Sequence, residues 1–95
     1  MTREEVINVL SKVEHPSISY SLMKLGIVTD VELVDNKATV FFAFPFPNIP
    51  IGEELLNSMA EPVDALGLDF DYDIRIMTDD ERRTFLKLET EAWKE

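Results

Sequence analysis

Strict alternation from Leu68 to Met77 is the feature that most limits how this chain can fold. Leu, Phe, Tyr and Ile occupy the even positions, and Asp, Arg and Met occupy the odd positions between them. A period of two places successive side chains on opposite faces of a strand, so we predict a strand with one packed and one solvated face. The carboxylates of Asp69, Asp71 and Asp73 should also discourage pairing at an open sheet edge.

A hairpin is predicted over residues 27 to 34 and 38 to 44, which are rich in Val, Ile and Phe. Asp35-Asn36-Lys37 lies between these runs and suits a tight turn. The first run alternates apolar with acidic residues, which indicates one solvated face. Val40 to Phe44 is apolar on both faces, which is typical of a more central strand.

Two helix starts are marked by capping boxes, in which the side chains of two residues three apart each satisfy a free backbone N–H. These are Thr2 with Glu5 and Thr78 with Glu81. Apolar residues at helical spacing follow each box. We predict a first helix that ends before Pro16 and a C-terminal helix that docks on the sheet or on a second copy.

Two further segments have helical character. Ser19 to Leu25 predicts a short helical turn, stopped by Gly26, which can adopt the left-handed conformation. Apolar residues recur at helical spacing over residues 52 to 66 and predict a second long helix. Because Pro62 lacks an N–H donor and crowds the preceding turn, we expect a kink or a restart there.

The predicted element order is α-β-β-α-β-α, which makes the chain an α+β protein. Since a helix connects the second strand to the third, those strands should be parallel, giving a small mixed three-stranded sheet covered by helices. The sequence contains no repeat and no linker, so we expect one domain spanning residues 1–95.

Composition excludes several classes of function. The chain has no cysteine, which removes disulfides, thiolate nucleophiles and the usual ligands of zinc and iron–sulfur clusters. Its net charge of −10 repels phosphate backbones and anionic lipids, so neither nucleic acid nor membrane is expected as a partner. Without a basic, apolar leader pattern, we expect a cytoplasmic location.

A calcium site is the metal hypothesis that the acidic strand invites. Asp69, Asp71 and Asp73 have the spacing that opens a calcium-binding loop. However, Ile74 stands where that loop needs glycine, and Asp80 stands where it needs a bidentate glutamate. We therefore interpret the three carboxylates as the wet face of a strand and expect no metal site.

His15 is the single histidine and the one side chain with an ordinary pKa near neutrality. Catalysis would need further groups, such as Glu14 or Ser17, and nothing in the sequence shows that they converge. We favour a structural or partner-contact role for His15, and a small enzyme built on His15 and nearby carboxylates is the least favoured hypothesis.

The segment from Phe44 to Pro50 contains three prolines, which stiffen the loop and remove three donors. Phe46 and Ile49 are either exposed as a preformed recognition surface or folded inward to plug the end of the sheet. Both alternatives are open from the sequence.

Residues 13 to 16, 22 to 28 and 44 to 50, followed by the helix from Gly52, resemble a known family. This is the iron–sulfur cluster assembly domain of SufT and PaaD proteins, also found at the N-terminus of Mrp-type ATPases. The resemblance covers roughly residues 4 to 77. It implies the α+β scaffold predicted above and an association with metal–sulfur cluster biogenesis.

The chain departs from this family at its candidate reactive positions. The family usually has an acidic residue on each side of the first proline, where this chain has His15 and Ser17 around Pro16. It also has a cysteine just before the second proline, where this chain has Ile49 before Pro50. The resemblance therefore implies the scaffold and loop positions but no cysteine-dependent step.

Our first hypothesis is a non-enzymatic accessory protein of iron–sulfur cluster assembly that binds no cofactor of its own. Its partner is expected to be a protein, for which a P-loop ATPase or a cluster-assembly component is the candidate, and a homodimer is a further expectation. The alternative is an interaction or oligomerisation module unrelated to metal. The expected partner-binding residues are His15, Pro16, Ser17, Phe46, Asn48, Ile49 and Pro50.

Overall fold

The structure, a computed structural model, describes residues 1–94 and confirms the predicted α+β order. Three helices and the three strands of one mixed sheet follow the predicted α-β-β-α-β-α order. The elements are α1 (Arg3–Leu10), β1 (Val28–Val34), β2 (Lys37–Phe44), α2 (Gly52–Ala65), β3 (Asp69–Ile76) and α3 (Asp79–Ala92).

Strand β2 is the centre of the sheet, whose strand order is β1-β2-β3. It pairs antiparallel with β1 through the predicted hairpin, where Asp35 adopts a positive φ of 53°. It pairs parallel with β3, as expected when a helix connects the two strands. The central position predicted for the apolar run Val40 to Phe44 is therefore confirmed.

The core lies on the face of the sheet that carries the even-numbered side chains of β2. Ala38, Val40 and Phe42 are almost completely buried there. Helices α1 and α2 pack against each other, and they contact β1 and β3 respectively. The two helices therefore bridge the sheet from one edge strand to the other.

The apolar face of β3 differs from its prediction. Phe70 is half-buried, but Tyr72, Ile74 and Ile76 are 48%, 39% and 42% exposed, so the expectation of a fully packed face is wrong for most of the strand. The reason is position in the sheet: β3 is an edge strand, and only its inner side meets β2 and α2.

Local helix predictions are confirmed with two corrections. Both capping boxes form, at Thr2 and at Thr78. Helix α2 continues through Pro62 without the expected restart. Pro62 removes only one hydrogen bond, and packing of the helix on the core compensates for that loss. The turn predicted from Ser19 begins later, at Leu22, and ends at Gly26, whose φ is 77°.

Within residues 1–94, no helix combines the length and apolar character that crossing a bilayer requires.

Leu22 should be a main stabiliser of the connection between α1 and β1. Its side chain is fully buried, and its backbone donates to the Val13 carbonyl and accepts from the Ile27 amide. We expect Leu22→Ala to lower the free energy of unfolding by ~2 to 5 kcal/mol, as for other buried leucines. Leu86, 40% exposed on α3, is the matched control, and Leu86→Ala should cost under ~1 kcal/mol. Urea unfolding followed by circular dichroism measures both, and equal losses would contradict this packing.

Candidate functional site

The two proline loops meet at one cleft, which we call the loop cleft. It has a volume of about 270 Å³ and is lined mostly by apolar groups. Its lining residues are His15, Ser17, Ile27, Pro45, Phe46, Ile49, Pro50, Ile51, Leu55, Phe85, Glu89 and Trp93.

Helix α3 closes one side of the loop cleft because it is bonded to both loops. The Arg82 guanidinium donates to the Pro45 carbonyl at 2.8 Å. At the other end of the helix, the Ser19 amide donates to the Ala92 carbonyl at 2.9 Å. The Lys94 amide donates to the Ser17 carbonyl, also at 2.9 Å. Within the chain, the C-terminal helix therefore docks on the loops rather than across the sheet.

His15 is 5% exposed and is held in a defined tautomer. The Ser17 backbone amide donates to its Nδ1 at 2.9 Å. An N–H donor at Nδ1 requires an unprotonated nitrogen, so the proton of the neutral ring is on Nε2. Nε2 has no hydrogen-bond partner in residues 1–94. Every buried side-chain nitrogen in that range has a partner, so the unpaired Nε2 is in contact with solvent. Among the described residues, the ring therefore offers one unpaired donor at the cleft.

The electrostatic surroundings of His15 favour this neutral ring. Burial lowers its pKa below the ordinary 6.5, and the nearby Lys94 ammonium lowers it further, whereas the Glu54 carboxylate raises it. The net direction is downward. At neutral pH the side chain is therefore an uncharged N–H donor and not a cation.

Of the two side chains whose exposure the sequence left open, Phe46 is exposed and Ile49 is half-buried. Phe46 is 47% exposed, and its ring centroid lies 5.6 Å from the guanidinium carbon of Arg82. Ile49 is half-buried and packs against the core while lining the cleft. Phe46 thus projects from the loop into solvent, and Ile49 forms part of the wall of the cleft.

Five of the seven residues predicted from the two loops line the loop cleft, and Pro16 and Asn48 do not. Those two are exposed beside it. The predicted residues did not include three lining residues at the C-terminal helix, which are Phe85 and Glu89 of α3 and its C-cap, Trp93. Their spacing of four residues places them on one helix face, a signal that was present in the sequence.

The donor groups of the loop cleft do not suit an iron–sulfur cluster. They are the imidazole of His15, the hydroxyl of Ser17 and the carboxylate of Glu89, and none is a thiolate. No group of three or more potential metal ligands occurs in the part of the chain that the structure describes.

The carboxylates on the acidic face of β3 make local contacts. The Asp71 and Asp73 carboxylates accept from the backbone amides of Tyr72 and Ile74, each at 2.9 Å. Asp71 also lies 3.5 Å from the Lys37 ammonium. A second depression of about 290 Å³ lies on the open face of the sheet, but its rim is mostly charged and neither proline loop reaches it.

Comparison with solved structures shows which fold this is. The chain is similar to the crystal structure of the domain of unknown function DUF59 from Bacillus anthracis, with a TM-score of 0.70 and 14% sequence identity over 90% of each chain. At this identity the likeness shows a shared fold. DUF59 is the family of the SufT/PaaD-like domain, to which the loop residues pointed. No protein-family model and no curated protein matches the chain.

Stability should depend on pH through His15. A folded-state pKa below the unfolded value means that the unfolded chain binds more protons in the window between them. Stability from this residue is therefore fully present above pH 6.5 and is lost as the pH falls toward the folded pKa. Since the chain has one histidine, a single imidazole signal in an NMR titration reports that pKa directly.

His15→Asn is the matched variant for this titration. Its side-chain oxygen can still accept from the Ser17 amide, but it does not titrate. We expect its unfolding free energy to fall less steeply than that of the wild type between pH 6.5 and the folded pKa. A histidine pKa at or above 6.5 would show that burial does not control this ring.

Proposed function

We propose that this chain is a non-catalytic accessory protein of iron–sulfur cluster assembly that acts by docking a protein partner in the loop cleft. A P-loop ATPase or another cluster-assembly component is the candidate partner. The observation that carries the proposal is the meeting of the two proline loops, the same loops that resemble the SufT/PaaD-like domain, at one apolar cleft.

The size and composition of the cleft favour a partner side chain over a cofactor. Small-molecule pockets usually enclose about 300 to 1,000 Å³ and cover most of the ligand. At about 270 Å³ the loop cleft suits a single anchoring side chain. Phe46 and Trp93 project at its rim with 47% and 55% exposure, and large aromatic groups dominate binding energy at protein interfaces.

The free Nε2 donor of His15 supports selective docking. A neutral N–H in an apolar wall favours a partner that places a carbonyl or carboxylate oxygen against it. A partner without that oxygen would leave the donor unpaired. The prolines limit the conformations of both loops, so little entropy is lost when they bind.

The same geometry argues against catalysis. A serine nucleophile needs a base at its hydroxyl, but Nδ1 of His15 is occupied by the backbone amide of Ser17. The chain has no cysteine and no second histidine to supply another nucleophile or base. These features support binding without turnover.

A docking module with no link to metal is the second candidate. The observation that favours it is the replacement of the family's cysteine by Ile49, which packs as part of the apolar wall. This candidate uses the same cleft and differs in the partner, so the identity of the partner separates the two.

The double variant Phe46→Ala/Trp93→Ala should abolish docking and leave the fold intact, because both side chains are about half exposed. Cross-linked, tagged wild-type protein should recover a cluster-assembly ATPase or scaffold from its own host, identified by mass spectrometry. A strain that lacks the gene should show reduced activity of enzymes that contain iron–sulfur clusters, restored by the wild type and not by the variant. Val34→Ala, at a residue 62% exposed on the hairpin, is the control that should restore activity.

Normal cluster enzymes in the deletion strain, together with a recovered partner unrelated to clusters, would favour the second candidate. Full complementation by the double variant would contradict docking at the loop cleft.

Anaerobic reconstitution with iron and sulfide should leave well under one iron per chain after desalting, because oxygen ligands and one imidazole bind soft iron–sulfur centres poorly. Visible absorbance and iron analysis measure this, with a cysteine-ligated ferredoxin as the positive control. A stable, stoichiometric cluster would contradict the accessory role without cofactor.

A further inference from the structure

Within residues 1–94, no strand pairs with the outer edge of β3. The Asp69 and Met77 amides donate to the carbonyls of Asn36 and Phe44 on the β2 side, each at 2.8 Å. Because successive N–H groups alternate along a strand, the amides and carbonyls of even-numbered residues point away from β2. Those of Tyr72 and Ile74 therefore lie on the open edge.

Exposed apolar side chains accompany this edge. Tyr72, Ile74 and Ile76 all project on the core face of the sheet, beside Val40, Phe42 and Phe44 of β2. They are 48%, 39% and 42% exposed. A further strand at this edge would extend the apolar face and bury these three groups.

The other edge of the sheet is already blocked. On β1, the Arg3 guanidinium from α1 donates to the Val31 carbonyl at 2.7 Å. The Asp30 carboxylate accepts from the Val31 amide at 2.8 Å and from Arg3 at 2.6 Å. A strand that paired with β1 would have to displace this ion pair. At β3 it would displace only the exposed carboxylates of Asp71 and Asp73, which cap the adjacent amides.

Among two-fold axes at residues 72 to 75, the charge pattern of β3 selects one register for antiparallel pairing with a second copy. Even-numbered residues must face even-numbered residues for their edge groups to bond. A two-fold axis at Tyr72 would place Asp71 opposite Asp73, and an axis at Asp73 would place that residue opposite itself. An axis at Arg75 would oppose two guanidinium groups.

An axis at Ile74 removes all of these like-charge contacts. It places Asp73 of each chain directly opposite Arg75 of the other, twice, and Tyr72 opposite Ile76, twice. Opposite charges directly across two strands stabilise the pair, and like charges destabilise it. The charges that oppose pairing in the other registers therefore form opposite-charge pairs in this one.

We propose that two copies of this chain associate through antiparallel β3 strands centred on Ile74, forming a continuous six-stranded sheet. The contact is isologous, as expected of a two-fold dimer. The Asp73 carboxylate exchanges its bond to the Ile74 amide for the guanidinium of the other copy. Arg75, whose two terminal nitrogens bind Glu81 at 2.7 and 2.8 Å, keeps further N–H donors for this contact.

A pair of complementary variants tests the register. In Asp73→Lys homodimers, Lys would oppose Arg75, and in Arg75→Glu homodimers, Glu would oppose Asp73. Each variant alone should be monomeric, with the 10.9 kDa mass of one chain. Mixed in equal amounts, they should form a heterodimer, because both cross-strand pairs then have opposite charge. Sedimentation equilibrium from ~1 µM to ~1 mM covers affinities from tight to weak.

Ile74→Lys places two like charges on the axis and should abolish dimerisation of the otherwise wild-type chain. Val34→Lys, at an exposed position of β1, is the control and should leave the dimer unchanged. Circular dichroism establishes that each variant is folded. A wild-type protein that is monomeric at every concentration would overturn the proposal. So would a dimer that Ile74→Lys leaves intact, or a mixture of folded complementary variants that stays monomeric.

Discussion

The pairing of β2 with a strand on each side is the interaction on which the rest of this structure depends. Every even-numbered side chain from Ala38 to Phe44 is buried, so this strand supplies the middle of the core. It also ends at Phe44, directly before the second proline loop. The Ala43 amide donates to the Ile27 carbonyl at 2.8 Å, which brings the end of the first irregular segment to the same place. The position of the loop cleft thus follows from the centre of the sheet.

Helix α3 then converts two neighbouring loops into a site. It contributes one buried apolar side chain, Phe85, and is otherwise largely polar, so it adds little to the core. Its bonds are to loop carbonyls and amides at both of its ends. A helix with this pattern is held at both ends by loops that contain proline.

The fold was more predictable from the sequence than the site, for physical reasons. Element types follow from local periodicity and capping, which is why Thr2, Thr78 and Gly26 were assigned correctly. The prediction of a packed face on β3 was wrong because alternation shows that the two faces of a strand differ in polarity. It does not show that a helix or another layer covers the apolar face. The roles of Glu89 and Trp93 depend on where α3 docks, and the hydrogen bonds that dock it join residues more than 30 positions apart.

The cleft and the sheet edge are separate surfaces, since no residue of β3 lines the loop cleft. Docking and self-association can therefore occur in the same molecule. A two-fold dimer would present two loop clefts with a fixed separation, and a partner that is itself two-fold symmetric could engage both. The second contact would then be intramolecular, so overall affinity could rise 10²- to 10⁴-fold without a new contact. Under the proposed docking, each cleft would hold one anchoring side chain, so each single contact would be weak and the gain from pairing would be large.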